Sequence, residues 1–218
     1  MCYDRSGIQF APRVWWTFKT FGWDNVAVLN GGLDKWFRDR FPYESGWYEY
    51  YIEKENFDSY TLNKKKLGNS DDILAISTLA SAKSNLSNII DSRPPKNYSG
   101  AAKEPDGVIP GHIPGSINIP NPTWFTEEGL LKTAEEIDEI LKSHKIDKDE
   151  KIITSCFAGI SACTPLLALE HAGAEKISLY DGSWAEYNKM AFPESRPDPK
   201  GFVNELYKQH QSKREKKK

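Results

Sequence analysis

The chain has 218 residues, of which 39% are hydrophobic and 12% aromatic, and a formal net charge of −2. That is enough apolar material for a packed core, so a wholly disordered chain is excluded. The near-neutral balance argues against a general nucleic-acid or membrane-surface binder, and no apolar run reaches the roughly 18 residues of a membrane-spanning helix.

Ala11-Pro12-Arg13-Val14-Trp15 predicts a helical start with Pro12 in its first turn. Ala27-Val28-Leu29 reads as a strand, and Asn30-Gly31-Gly32 leads into a helix carrying Trp36 and Phe37. Residues 46–86 form a polar, Tyr-rich connector containing Lys64-Lys65-Lys66. Asn88-Ile89-Ile90-Asp91 predicts a strand, and Gly115 to Pro120 holds another. Thr133-Ala134-Glu135-Glu136 has the form of a capping box before the helix of Ile137, Ile140 and Leu141. Lys151-Ile152-Ile153-Thr154 predicts a buried strand ending at Ser155-Cys156. It is followed by the loop Phe157-Ala158-Gly159 and an apolar helix from Ile160 to His171, stopped by Gly173. Ile177 to Tyr180 is the next strand, running into Asp181-Gly182-Ser183 and the helix of Trp184 and Tyr187. Strands alternating with helices imply a parallel α/β sheet.

The segment around Cys156 repeats one at the start of the chain. Asp4 falls where Cys156 falls, and Gly31 where Gly182 falls. The first copy lacks the apolar strand that precedes Cys156. Residues 1–45 are therefore expected to be the last third of a first domain, 46–86 a linker, 87–193 the intact domain and 194–218 a solvated basic tail. The fragment carries Trp15, Trp16, Phe18, Phe21, Trp23 and Trp36 with too few strands to bury them, which predicts exposed apolar surface.

Three cysteines (Cys2, Cys156 and Cys163) give no disulfide framework and no C-x-x-C zinc pair, so a reducing compartment is the natural reading. The N-terminus shows no signal h-region or Arg-rich transit segment, and a cytoplasmic or mitochondrial location is expected. Cys156 stands at the carboxyl end of an apolar strand, where open α/β sheets bind ligands. Converging loop amides and a helix N-terminus favour the thiolate there, and the small Ala158 and Gly159 let the backbone approach the sulfur. The residues alone leave a buried, inert cysteine as the other reading.

Asp91-Ser92-Arg93 through Tyr98, Gly111-His112-Ile113-Pro114-Gly115-Ser116-Ile117-Asn118-Ile119-Pro120, Cys156-Phe157-Ala158-Gly159-Ile160-Ser161-Ala162 and Asp181-Gly182-Ser183-Trp184 together resemble the motifs of the rhodanese-type sulfurtransferases. Asp4-Arg5-Ser6-Gly7 and Asn30-Gly31-Gly32 resemble the silent first domain of two-domain members, which include thiosulfate and 3-mercaptopyruvate sulfurtransferases. The resemblance implies an open parallel sheet with helices on both faces, preceded by a partial copy of the same fold. It implies that Cys156 takes a sulfane sulfur as a persulfide and passes it to a thiol or cyanide, a thioredoxin-like protein among the acceptors, without metal or organic cofactor. The substrate contacts it implies are Arg93, Asn97 and the loop residues Phe157, Ala158, Gly159, Ile160, Ser161 and Ala162.

The chain also departs from the family. Phe157 and Ala158 stand where thiosulfate enzymes carry two basic residues, and Ala158 where mercaptopyruvate enzymes carry a hydroxyl. Asn97 replaces a family arginine, and a second substrate arginine falls in the shortened stretch Lys103-Glu104-Pro105-Asp106. Arg93, Lys96 and Lys103 are left as anion contacts. These departures keep a second reading open, a rhodanese-like binding module without catalysis. A cysteine phosphatase or arsenate reductase is excluded, because Ala162 occupies the arginine position of a Cys-x5-Arg loop. His112 is read as a structural hydrogen-bonding residue, Asp91 as a tie for loop backbone, and Cys163 as a small core residue.

Overall fold

Four short runs come together as parallel strands: β1 (Ile89–Asp91), β2 (Ile117–Asn118), β3 (Ile152–Ser155) and β4 (Ile177–Leu179). Their order across the sheet is β2-β1-β3-β4. The computed structural model describes residues 1–5, 7–47, 60–81 and 88–191. The basic tail and much of the expected connector lie outside that range.

Successive residues of a strand face opposite sides, and the isoleucine pairs of β1 and β3 supply both cores. Ile90 and Ile152 belong to a cluster with Ile137 and Leu141 of α5 (Ala134–Ser143) and Leu166 and Leu169 of α6 (Cys163–His171). Ile89 and Ile153 belong to the other, with Ile73 of α3 (Ser70–Ser81) and Trp184 and Tyr187 of α7 (Ser183–Ala191). Burying each of these isoleucines stabilises the domain by about 1.5–3 kcal/mol. Helices thus cover both faces of an open parallel sheet, as the motif resemblance implies.

The capping box before α5 is formed. Thr133 Oγ1 accepts the Glu136 amide at 3.3 Å, and Glu136 Oε2 accepts the Thr133 amide at 2.8 Å. A short helix, α4 (Pro95–Tyr98), follows β1. Helix α6 begins at Cys163 rather than at Ile160 as the apolar run suggested. Pro165 explains the difference: it has no N–H to donate, so it is tolerated in a first turn but would break a helix begun three residues earlier.

Helices α1 (Ala11–Thr20) and α2 (Gly32–Arg38) form where expected. The strand expected at Ala27–Leu29 is reduced to one parallel bridge, Cys2 to Val28, because among the described residues only Cys2 pairs with it. Among the aromatics of this segment, Trp15 and Trp16 are buried in the α5–α6 cluster while Phe18, Phe21 and Trp23 stay exposed. Lys19 pairs with Glu170 of α6 at 3.2 Å, and the Lys66 ammonium lies 5.0 Å from the Trp16 ring centroid. The expected connector also contributes to the fold. Leu67 bridges Leu179 and so covers the outer edge of β4, and α3 starts where Asn69 Oδ1 accepts the Asp72 amide at 2.7 Å. Ile73 of that helix is fully buried. The signal was the Asn69 cap followed by Ile73 and Leu74, which Tyr- and Lys-rich flanks obscured.

Candidate active site

Strand β3 is buried along its whole length and delivers Cys156 to the carboxyl edge of the sheet, one residue beyond the Asp91–Ser155 pair. The chain then leaves the sheet and wraps the sulfur before α6 begins. The Gly159 N–H donates to Cys156 Sγ at 3.1 Å and, bifurcated, to Ser183 Oγ at 3.1 Å. Ser183 Oγ also accepts the Cys156 N–H at 3.0 Å and donates to the Tyr180 carbonyl at 2.8 Å. One hydroxyl therefore ties both ends of the loop to the turn after β4. Ser183 holds this post at φ +50, a conformation that costs a non-glycine residue about 1–3 kcal/mol and persists because its neighbours over-determine it. The amides of Trp184 and Ala185 complete the seam, donating to the carbonyls of Cys156 and Phe157 at 3.0 Å each.

Gly159 has φ +79, and a Cβ there would lie 2.6 Å from the Asp181 carbonyl oxygen and 3.1 Å from Arg13 Nη1. Only glycine fits. Gly159→Ala is expected to lower the unfolding free energy by about 1–3 kcal/mol, from left-handed strain and the displaced Asp181 backbone. A shift of the urea midpoint at constant slope measures this, and an unshifted midpoint would mean the loop reshapes freely.

Two further groups close on Gly159 from behind. Arg13 Nη1, from α1, donates to the Gly159 carbonyl at 3.2 Å and also pairs with the Asp181 carboxylate. Cys163 Sγ donates to the same carbonyl at 3.4 Å. Burial pushes the Cys163 thiol up to about 12, so it remains protonated at physiological pH. Cys163 is a core residue, as expected, and is the first residue of α6.

Residues 76–190 of the chain match the Rhodanese-like domain family. The chain belongs to that family. It is 36% identical over 195 residues to mouse 3-mercaptopyruvate sulfurtransferase, covering 88% of this chain and 63% of the mouse protein. The figures for rat thiosulfate sulfurtransferase are the same. The Escherichia coli K12 3-mercaptopyruvate sulfurtransferase is 37% identical over 190 residues, covering 87% of this chain and 64% of that one. The crystal structure of SseA from Escherichia coli superposes with a TM-score of 0.69 at 35% identity, covering 84% of this chain and 65% of that one. The chain thus spans somewhat less than two thirds of the length of these curated relatives.

The rhodanese-like loop places the remaining sequence-predicted residues unequally. Phe157 and Ser161 are half-buried, Ala158 and Ile160 face solvent, and Ala162 is buried. Ser161 Oγ lies 3.5 Å from Ser92 Oγ. Arg93, expected as a substrate contact, is held by internal partners. Its side chain is 3% exposed, its Nε and Nη2 donate to the Asp91 carboxylate at 2.8 to 3.1 Å, and Nη2 also reaches the Gly111 carbonyl at 2.8 Å. The Trp184 ring covers the guanidinium at 5.2 Å. Asn97 donates to Glu104 at 3.3 Å, and Glu104 lies 3.8 Å from Arg93 Nη1 with its side chain almost fully buried. The stretch Lys103-Glu104-Pro105-Asp106 therefore supplies an internal acid beside Arg93.

His112 shares a hydrogen bond through Nδ1 with the Tyr98 carbonyl at 2.8 Å and stacks on the Tyr98 ring at 3.9 Å. This agrees with the structural role expected of it. Asp91 accepts the Arg93 amide at 3.0 Å and so ties down loop backbone, also as expected. Among the described residues, no group of three or more His, Cys, Asp or Glu side chains converges to hold a metal ion, and no helix is long and apolar enough to cross a membrane. The meeting of Arg13, Asp181 and Ser183 at Gly159 carries no local signal in the sequence.

Proposed function

We propose that this chain is a sulfurtransferase that carries a sulfane sulfur as a persulfide on Cys156. The observation that carries this reading is the 3.1 Å contact from the Gly159 amide to Cys156 Sγ, inside a loop cradled at the carboxyl edge of the sheet. The names of the mouse, rat and Escherichia coli relatives support it. In the first half-reaction the Cys156 thiolate attacks the transferable sulfur of the donor. If the donor is 3-mercaptopyruvate, its thiol sulfur is attacked, the carbon–sulfur bond breaks and its electron pair leaves on the enolate of pyruvate, which takes up a proton; if it is thiosulfate, the sulfane sulfur is attacked, the sulfur–sulfur bond breaks and sulfite leaves. In the second, a thiol or cyanide attacks the outer sulfur and restores Cys156. The Gly159 amide, 3.1 Å from the sulfur, stabilises negative charge there.

The loop near the N-terminus supports a tandem arrangement. Asp4, in the position that corresponds to Cys156, has its carboxylate held by the amides of Ile8 at 3.0 Å, Phe10 at 2.8 Å and Ala11 at 2.7 Å. Such a loop favours an anion, and a carboxylate in it has no sulfur to accept, so residues 1–45 are read as part of a silent copy beside the catalytic residues 87–193. The proposed acceptor is a small thiol or a thioredoxin-like protein in the cytoplasm or the mitochondrion. The proposed donor contacts are the residues from Phe157 to Ala162.

Intact mass after incubation with 3-mercaptopyruvate or thiosulfate tests the reading. A gain of one sulfur atom that maps to Cys156 and is lost on adding a thiol is expected. No gain with either donor would leave the binding-module reading in its place.

Phe157 and Ala158 bring no positive charge to a dianionic donor, so thiosulfate is expected to show a high KM. Converting them to Arg and Lys should lower that KM at least about tenfold, since each charge-assisted contact is worth about 1.5–3 kcal/mol. An unchanged KM in a folded variant would show that loop charge does not set donor affinity.

A further inference from the structure

The six residues from Phe157 to Ala162 contain no cation, yet one reaches the loop from a segment 146 residues away. Gly159 is held on both sides. Its N–H is shared between Cys156 Sγ and Ser183 Oγ, and its carbonyl accepts from Arg13 Nη1 and Cys163 Sγ. A glycine has few steric barriers of its own, so the direction of its N–H depends on what grips the rest of it. Of the two groups on the carbonyl, the Cys163 thiol is a weak donor at 3.4 Å, and the guanidinium at 3.2 Å is the strong one. Asp181 anchors that guanidinium, and its hydrogen bond is the largest influence that raises the Arg13 pKa above its ordinary value despite partial burial. Asp181 also packs against Gly159 so closely that no Cβ fits.

We infer that Arg13 is a positioning residue for the sulfur-carrying loop: its guanidinium, braced on Asp181, holds the Gly159 carbonyl so that the Gly159 amide stays aimed at Cys156 Sγ. The segment of residues 1–45 then completes the geometry of the site instead of only covering apolar surface. The consequence for the rate of sulfur transfer rests on the persulfide reading above; the placement of Arg13 and its effect on the Gly159 amide do not.

The test uses the full chain with Arg13→Met and Arg13→Lys. In NMR hydrogen exchange, the Gly159 amide of Arg13→Met is expected to exchange at least about tenfold faster than in the parent, with the Ile153 amide of β3 unchanged. Arg13→Lys, which keeps a cationic donor, should recover most of the protection. In single-turnover loading of Cys156 by 3-mercaptopyruvate, Arg13→Met should slow the saturated rate about fivefold or more while the half-saturating donor concentration holds, again with recovery in Arg13→Lys. Equal quickening at Gly159 and Ile153, or none at Gly159, would overturn the inference and leave Arg13 a fold anchor. If the parent chain itself takes up no sulfur, the persulfide reading fails and the exchange result alone decides the role of Arg13. Should Arg13→Met not fold, Asp181→Asn, which frees the guanidinium from its brace, is expected to quicken Gly159 exchange in the same selective way. Parent-like exchange in that variant would equally overturn the inference.

Discussion

Cys156→Ser should abolish uptake of sulfur altogether. Serine is close to cysteine in volume, and its oxygen can still accept the Gly159 amide, so the loop has no reason to rearrange. Its hydroxyl is neither ionised nor able to form a persulfide, so covalent carriage stops at the first step. Cys156 is only 2% exposed, and exchanging one atom where the Gly159 amide already donates should change the unfolding free energy by about 1 kcal/mol or less. Intact mass and urea unfolding on the same preparation separate chemistry from folding. A Cys156→Ser protein that still gains a thiol-labile sulfur would remove Cys156 from the mechanism. Cys163→Ser is the matching control: its hydroxyl keeps the donation to the Gly159 carbonyl, and loading should continue.

The largest stability effect is expected at Asp91. Asp91 and Arg93 are 1% and 3% exposed, and their ion pair is two-toothed, with the guanidinium also on Gly111 and against Trp184. Removing the carboxylate by Asp91→Ala leaves a buried guanidinium with Glu104 3.8 Å away as its remaining acidic neighbour in this cluster. Breaking such a pair costs about 3–5 kcal/mol, a large share of the 5–15 kcal/mol typical of a whole domain. Urea unfolding should show the midpoint falling accordingly, or the variant should fail to accumulate as folded protein. Replacing both partners at once, as Asp91→Leu with Arg93→Met, should cost less than Asp91→Ala, because no buried guanidinium is left without its carboxylate; the remaining cost is that of Glu104, which loses its cationic neighbour. Single and double variants that are equally unstable would show that shape, and not charge, is what the pair contributes.

What could be read in the sequence is what depends on near neighbours. The Ile89-Ile90 and Ile152-Ile153 pairs announce strands buried on both faces. The Thr133–Glu136 pair announces the cap of α5, and the run into Ser155-Cys156 announces a cysteine leaving a strand. The late start of α6 was legible too, had Pro165 been weighed against the apolar run. Other features had no local trace. Ile73 looked like part of a connector because the face that buries it is built from Ile153, Tyr180 and Trp184, far along the chain. At Arg93 a sequence shows a charge but not its partners; Asp91, Gly111 and Glu104 meet it only in three dimensions. Sequence alone determined the four strands of the sheet, the cap of α5 and the position of Cys156, since these follow from backbone periodicity and contacts a few residues apart. Tertiary structure alone decided which charges are buried and that Arg13 and Ser183 meet at Gly159, since such partners are chosen by packing between elements separated by tens to hundreds of residues.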